Sequence, residues 1–185
     1  MSPEQVEQFS SMRSSVKHLT LGVSKQATAP WTPTIFGQLL STMPALNSLE
    51  LERCTTPFLK SVLSNLVESG RRLKLFRLGK TFLVDEGLVG FLEANADHLE
   101  DLHLESCVKL TARVFAAISK CTALRNLSLK GAVALEDSHL DDLRAHSPGL
   151  RRLFMEGCDR VTGEGIDRLY EFRELDSLTV ELSFE

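Results

Sequence analysis

The sequence predicts an α/β repeat solenoid, a right-handed, curved stack with about seven short parallel strands on its concave side and helices on its convex side. Three observations lead there. Leucine supplies 32 of the 185 residues. One spacing of apolar residues recurs every 25 to 30 positions. Within each unit the apolar period changes from that of a strand to that of a helix.

The strands carry the clearest signal. Leu99, Leu102, Leu104 and Cys107 have the spacing L-x-x-L-x-L-x-x-C, and it recurs as Leu46, Leu49, Leu51, Cys54 and as Leu150, Leu153, Met155, Cys158. Weaker copies are Val16, Leu19, Leu21, Ser24; Leu73, Phe76, Leu78, Thr81; Leu124, Leu127, Leu129, Ala132; and Leu175, Leu178, Val180. Their first positions, 16, 46, 73, 99, 124, 150 and 175, keep near-constant register. The alternating L-x-L places strands near residues 19, 49, 76, 102, 127, 153 and 178.

Helices are expected in the second half of each unit. Apolar pairs lie about seven and ten residues before the next first position: Leu39 and Phe36, Leu66 and Leu63, Leu92 with Val89 or Leu88, Leu143 and Leu140. A three-residue step marks one helix face. Residues 1–15 fit the same template as an N-terminal helical half-repeat. Val6 and Phe9 take the apolar positions, and Ser2, Pro3 and Gln5 offer an N-cap, a first-turn proline and a capping-box partner. The whole chain, 1–185, reads as a single domain. The first strand is exposed to solvent unless the segment Pro3 to Arg13 covers it, and the last needs its short tail or another chain.

On these residues the chain resembles leucine-rich-repeat proteins of the cysteine-containing subclass, as in F-box leucine-rich-repeat proteins. Leu99 to Cys107 and Cys121 to Leu129 match best, and Val161 to Ile166 stands where that subclass enters its helix. The ninth position departs from cysteine at Ser24, Thr81 and Ala132, an insertion through Ala29, Pro30, Trp31 and Pro33 lengthens the first repeat, and no F-box precedes the repeats. The resemblance implies a protein-binding module, with substrate recognition for a ubiquitin ligase as its sharper form. It also leaves room for the chain to continue in a longer parent protein.

Composition narrows the partners. With 21 Lys+Arg against 25 Asp+Glu and a net charge of -4, there is no positive field to attract nucleic acid. No apolar run approaches the ~18 residues of a membrane span, and the first residues do not form a signal peptide. A cytoplasmic or nuclear protein is expected. Cys54, Cys107 and Cys158 lie two repeats apart, ~10 Å in a stack of strands ~4.8 Å apart and beyond the ~7 Å reach of a disulfide. They read as reduced, inward fillers in the role of Thr81 and Ala132. Gly79-Lys80-Thr81 lacks the loop that would cradle phosphate, and the sequon Asn126-Leu127-Ser128 falls in a strand. The five histidines are scattered over different repeats without a nucleophile motif. No enzyme, cofactor, metal or small-molecule substrate is expected.

Positions three, five and seven of each unit face away from the core. Most of their charges read as ladder pairs between strands, Glu50 with Arg77 and Glu105 with Lys130 and Glu156. Leu75 and Phe154 gain nothing from solvent, and aromatic plus arginine is hot-spot composition. Phe154, Arg152, His103, Arg77, Leu75, Glu105 and Glu156 are therefore the candidate partner-binding residues. The alternative for Phe154 is cover from the C-terminal tail. For function, the alternative is a regulator or assembly factor that binds and covers a partner enzyme.

Overall fold

A computed structural model describes residues 15–22, 32–81, 85–106 and 109–181. Seven strands alternate with six helices among them: β1 (His18–Gly22), α1 (Pro33–Ser41), β2 (Ser48–Glu52), α2 (Thr56–Glu68), β3 (Leu75–Gly79), α3 (Asp85–Asn95), β4 (Asp101–Glu105), α4 (Ala112–Ser119), β5 (Asn126–Lys130), α5 (Asp137–His146), β6 (Arg152–Glu156), α6 (Gly163–Leu169) and β7 (Ser177–Glu181). The strands form one parallel sheet in chain order, each paired only with its sequence neighbours.

Register follows the repeat: Leu49 lies opposite Phe76, Phe76 opposite Leu102, Leu102 opposite Leu127 and Leu127 opposite Leu153. The strands run over positions three to seven, so their centres fall one residue later than the leucine alternation places them. Pairing is set by backbone hydrogen bonds, and these extend as far past the second inward leucine as they begin before the first. In each of the six junctions one carbonyl just before a strand accepts two N–H groups of the next unit, as Lys74 O does from Glu100 N and Asp101 N at 2.8 and 2.9 Å.

The core lies between sheet and helices. Leu49, Leu51, Phe76, Leu78, Leu102, Leu104, Leu127, Leu129, Leu153 and Met155 are each 2% exposed or less. From the helices come Phe36, Leu59, Leu63, Leu66, Leu88, Phe91, Leu92, Val114, Leu140 and Leu143. Phe76 packs on Phe91 with ring centroids 4.6 Å apart. In α1 the core residue is Leu40 rather than Leu39, which is half-buried. At the ends the same inward positions lose a neighbour, and Leu19, Leu21, Leu178 and Val180 are only partly buried.

Two polar devices close each turn. At position eight the backbone enters the left-handed region: Arg53 (φ 56°), Lys80 (φ 52°), Ser106 (φ 56°), Gly131 (φ 69°) and Gly157 (φ 60°). Each of their N–H groups donates to the last strand residue of the next unit, as Lys80 N does to Glu105 O at 2.9 Å. At position nine Cys54, Thr81 and Cys158 turn their side chains inward and donate back to the carbonyl of position seven, whereas Ala132 fills the same place without a donor. Thr81 Oγ1 reaches Gly79 O at 2.9 Å, Cys54 Sγ reaches Glu52 O at 3.7 Å, and Cys158 Sγ reaches Glu156 O at 3.7 Å. Thiol and hydroxyl thus fill one role.

Cys54, Cys121 and Cys158 are free and buried. Burial pushes the Cys54 thiol up to about 11 and that of Cys121 to about 12. The expected inward Cys107, the helix over residues 1–15 and the insertion residues Ala29 to Trp31 lie outside the described residues, as does the tail after Glu181.

Candidate functional site: the concave sheet face

Alternation along each strand decides what the concave face presents. In β4 and β5 the second and fourth residues are buried and the other three partly exposed, and β6 differs only in that Arg152 is exposed. Positions three, five and seven therefore form three rows across the sheet, spaced by the ~4.8 Å between strands.

Six of the seven candidates, Arg77, His103, Glu105, Arg152, Phe154 and Glu156, line one open hollow of about 510 Å³ over β3 to β7. Leu75 sits apart, half-buried between Ser48 and Asp101 in the position-three row. The hollow has further walls that residue type alone did not single out: Asp101, Asn126, Ser128, Lys130, Ser177 and Thr179. They stand in the same rows as the candidates. Their signal was position, whereas selection by aromatic or cationic character passed over short hydroxyl side chains.

The ion pairs differ in part from the ladder the sequence suggests. Glu50 and Arg77 are register partners, yet the Arg77 guanidinium bonds Glu105, with Nε and Nη2 at 3.1 and 2.5 Å from one carboxylate oxygen. A long arginine leans along its strand and reaches position seven of the next one more readily than position five of the previous one. Glu50 instead faces His18 and Thr20. Lys130 pairs with Glu156 at 2.5 Å, as expected. Asn126 donates to Asp101.

Hydrogen bonding, burial and neighbouring charges perturb two of the candidate residues. Its hydrogen bonds to Glu105 hold the Arg77 guanidinium above its ordinary value. His103 is pushed below 6.5, first by burial and then by the Arg77 charge, against the opposing pull of Asp101, Glu105 and Glu50. Nothing in this arrangement resembles a nucleophile with its base. Among the described residues no group of three or more His, Cys, Asp or Glu side chains is placed to hold a metal ion. No helix among them is long and apolar enough to cross a membrane.

Leucine at most inward strand positions, one sheet in chain order and a helix returning each unit define a leucine-rich-repeat solenoid. One solved structure shares this fold. A chain in the crystal structure of the Rad7 and Elc1 complex of yeast superposes with a TM-score of 0.55 at 16% identity, over 99% of this chain and 59% of that one. The C-terminal domain of tropomodulin from Caenorhabditis elegans gives a TM-score of 0.46 at 10% identity, over 94% and 91%. The first likeness is one of fold, and this chain spans about three fifths of the yeast chain's length. Neither a protein-family model nor a curated protein sequence matches the chain.

Proposed function

We propose that this chain is a non-enzymatic interaction module that binds a partner protein on the concave face of its sheet. The single observation behind the reading is the convergence of Phe154, Arg152, His103 and Arg77 on one hollow in a rigid sheet. A half-buried aromatic ring beside an exposed arginine is the composition of an interface anchor. The three outward rows on seven strands amount to about the 20 to 30 residues of one side of a standard interface.

The reading extends to the cysteine-containing subclass, supported by the thiols of Cys54 and Cys158 in the position-nine role. That subclass resemblance directs the search toward substrate recognition for a ubiquitin ligase. The fold match to a chain from a two-protein complex, Rad7 with Elc1, is in keeping with a life spent in assemblies. We take residues 1–185 as one unit of such a module, working in the cytoplasm or nucleus.

Affinity capture with the wild-type chain and with Phe154→Ala tests this. Partners that depend on the concave face are lost with Phe154→Ala, which is expected to weaken binding at least tenfold, about the 2 kcal/mol of a hot-spot truncation. Asp142→Lys on the exposed side of α5 is expected to retain them. Recovery of ligase components supports the ubiquitin form, whereas one stoichiometric enzyme supports a regulator that covers it. A partner lost with Asp142→Lys and kept with Phe154→Ala moves the site to the helices.

A further inference from the structure

The two ends of the concave face differ in how their polar side chains are engaged. From β1 to β5 most of them satisfy one another: His18 with Ser48 and Thr20, Arg77 with Glu105, Asn126 with Asp101, and Lys130 of β5 with Glu156 of β6. Toward β7 the pattern stops. Arg152, Ser128, Ser177 and Thr179 line the hollow and make no side-chain hydrogen bond or ion pair among the described residues. Glu181, exposed beside Glu156, likewise has no ion pair there.

Small neighbours shape this end. Ser128 and Thr179 are the register partners of Phe154 on either side, and Asn126 and Ser177 are those of Arg152. Side chains that short leave the Phe154 ring open above them and place hydroxyl groups around it. Along the strand direction the order is fixed: the unpaired cation at position three, the ring at position five, the unpaired carboxylate at position seven of β7. Steps of two strand residues are ~6.6 Å, so cation and carboxylate levels lie ~13 Å apart.

Resting on the concave-face reading above, we infer that the β5–β7 end takes an extended segment of a partner protein. It sets a carboxylate on Arg152, an apolar side chain on Phe154 and a cation against Glu181. Charge complementarity fixes the order, since Arg77 and Lys130 are already neutralised by Glu105 and Glu156. An extended segment meets both levels within five residues, since its residues i and i+4 span the ~13 Å, whereas a helix would need about nine residues for the same reach. The segment thus carries its acid, apolar and basic side chains at alternate residues, all on one side.

Four synthetic pentapeptides serve as probes, titrated into the full 185-residue chain with backbone amide shifts as the readout: Asp-Ser-Leu-Ser-Lys, its reverse Lys-Ser-Leu-Ser-Asp, and the like-charged Asp-Ser-Leu-Ser-Asp and Lys-Ser-Leu-Ser-Lys. One of the two mixed-charge peptides is expected to shift amides of β5 to β7 and to bind about fivefold more tightly than either like-charged one, which keeps one exposed ion pair and sets a like charge at the other site. Arg152→Glu, at an exposed position that leaves the fold intact, is expected to move the preference to the doubly basic peptide. Equal binding by all four, with shifts confined to β5–β7, overturns the charge order and leaves the concave surface standing. Shifts confined to β1–β4 or to the helices, or none at about millimolar peptide, overturn the inference. The concave-face reading itself falls only if Phe154→Ala retains the captured partners.

Discussion

Arg53, Lys80 and Ser106 occupy the same left-handed backbone position that Gly131 and Gly157 hold in later repeats. For a residue with a Cβ that conformation costs about 1–2 kcal/mol, against the roughly 0.5–1 kcal/mol of extra chain entropy a glycine loses. Lys80 is exposed, and its side chain bonds nothing among the described residues. Lys80→Gly is therefore expected to stabilise the fold by about 0.5 kcal/mol, and Gly131→Ala to destabilise it by about 1 kcal/mol, both read from urea denaturation midpoints. Neither the leucine spacing nor residue type announces this turn, because three of its five occupants are not glycine. His103 carries a second expectation. Its folded-state value lies below 6.5, so the folded chain favours the neutral ring. That contribution is present above 6.5 and is lost as pH falls through the folded value, where the unfolded chain binds the proton more readily. Thermal melts from pH 7.5 to 5 are expected to fall less steeply for His103→Gln than for the wild type.

The helices are tied to one another by carboxylates at their first turns. Asp85, which opens α3, accepts from the backbone N and the hydroxyl of Thr111, the N-cap of α4. Asp137, which opens α5, does the same for Thr162, the N-cap of α6, at 2.9 and 2.6 Å. Thr162 in turn accepts from Gly165 N at 3.3 Å, and a Cβ on Gly165 would overlap the Asp137 carboxylate. Asp137→Ala and Thr162→Ala are each expected to cost about 1 kcal/mol, with a double mutant costing less than the two together, because they remove one shared clamp. Strand positions were legible because leucine alternates with polar residues and tolerates no slip: one residue of shift would turn every buried side chain outward. Helices were less so. In α6 the residues seven and ten before Leu175 are Arg168 and Gly165, and of these only Gly165 is buried, the other buried position falling to Leu169. Arg168 reaches back to Asp141 of α5 at 2.6 Å, an inter-helix pair that apolar periodicity does not register.

Repeats in the middle of the stack have two neighbours and those at its ends have one. The difference is visible in burial, since the inward residues of β2 to β6 are 2% exposed or less while those of β1 and β7 are partly exposed. In a stack of near-independent units, opening starts at the ends. Hydrogen exchange is expected to be fastest in β1 and β7 and slowest in β3 to β5, and uniform protection across the sheet would contradict that order. The concave surface was legible as three rows of positions, because strand geometry alone assigns faces. Which groups within those rows are already engaged was not. That depends on side-chain reach, as with Arg77 choosing Glu105 over Glu50, and on neighbours too short to cover Phe154.

Apart from local turns and caps, the hydrogen bonds of the described residues join positions 22 to 31 apart in the sequence, from Leu73 with Asn95 to Arg71 with Leu40. Among the described residues no strand or helix is pinned by a partner from a distant part of the chain. A tensile load applied between the first and last strands therefore meets no single clasp that must give way before anything else yields. It peels the stack one unit at a time, each of about 26 residues releasing roughly 90 Å of extended chain. Such a molecule behaves as a ratcheted spring, able to lengthen in steps at its ends while the middle of its sheet keeps its shape.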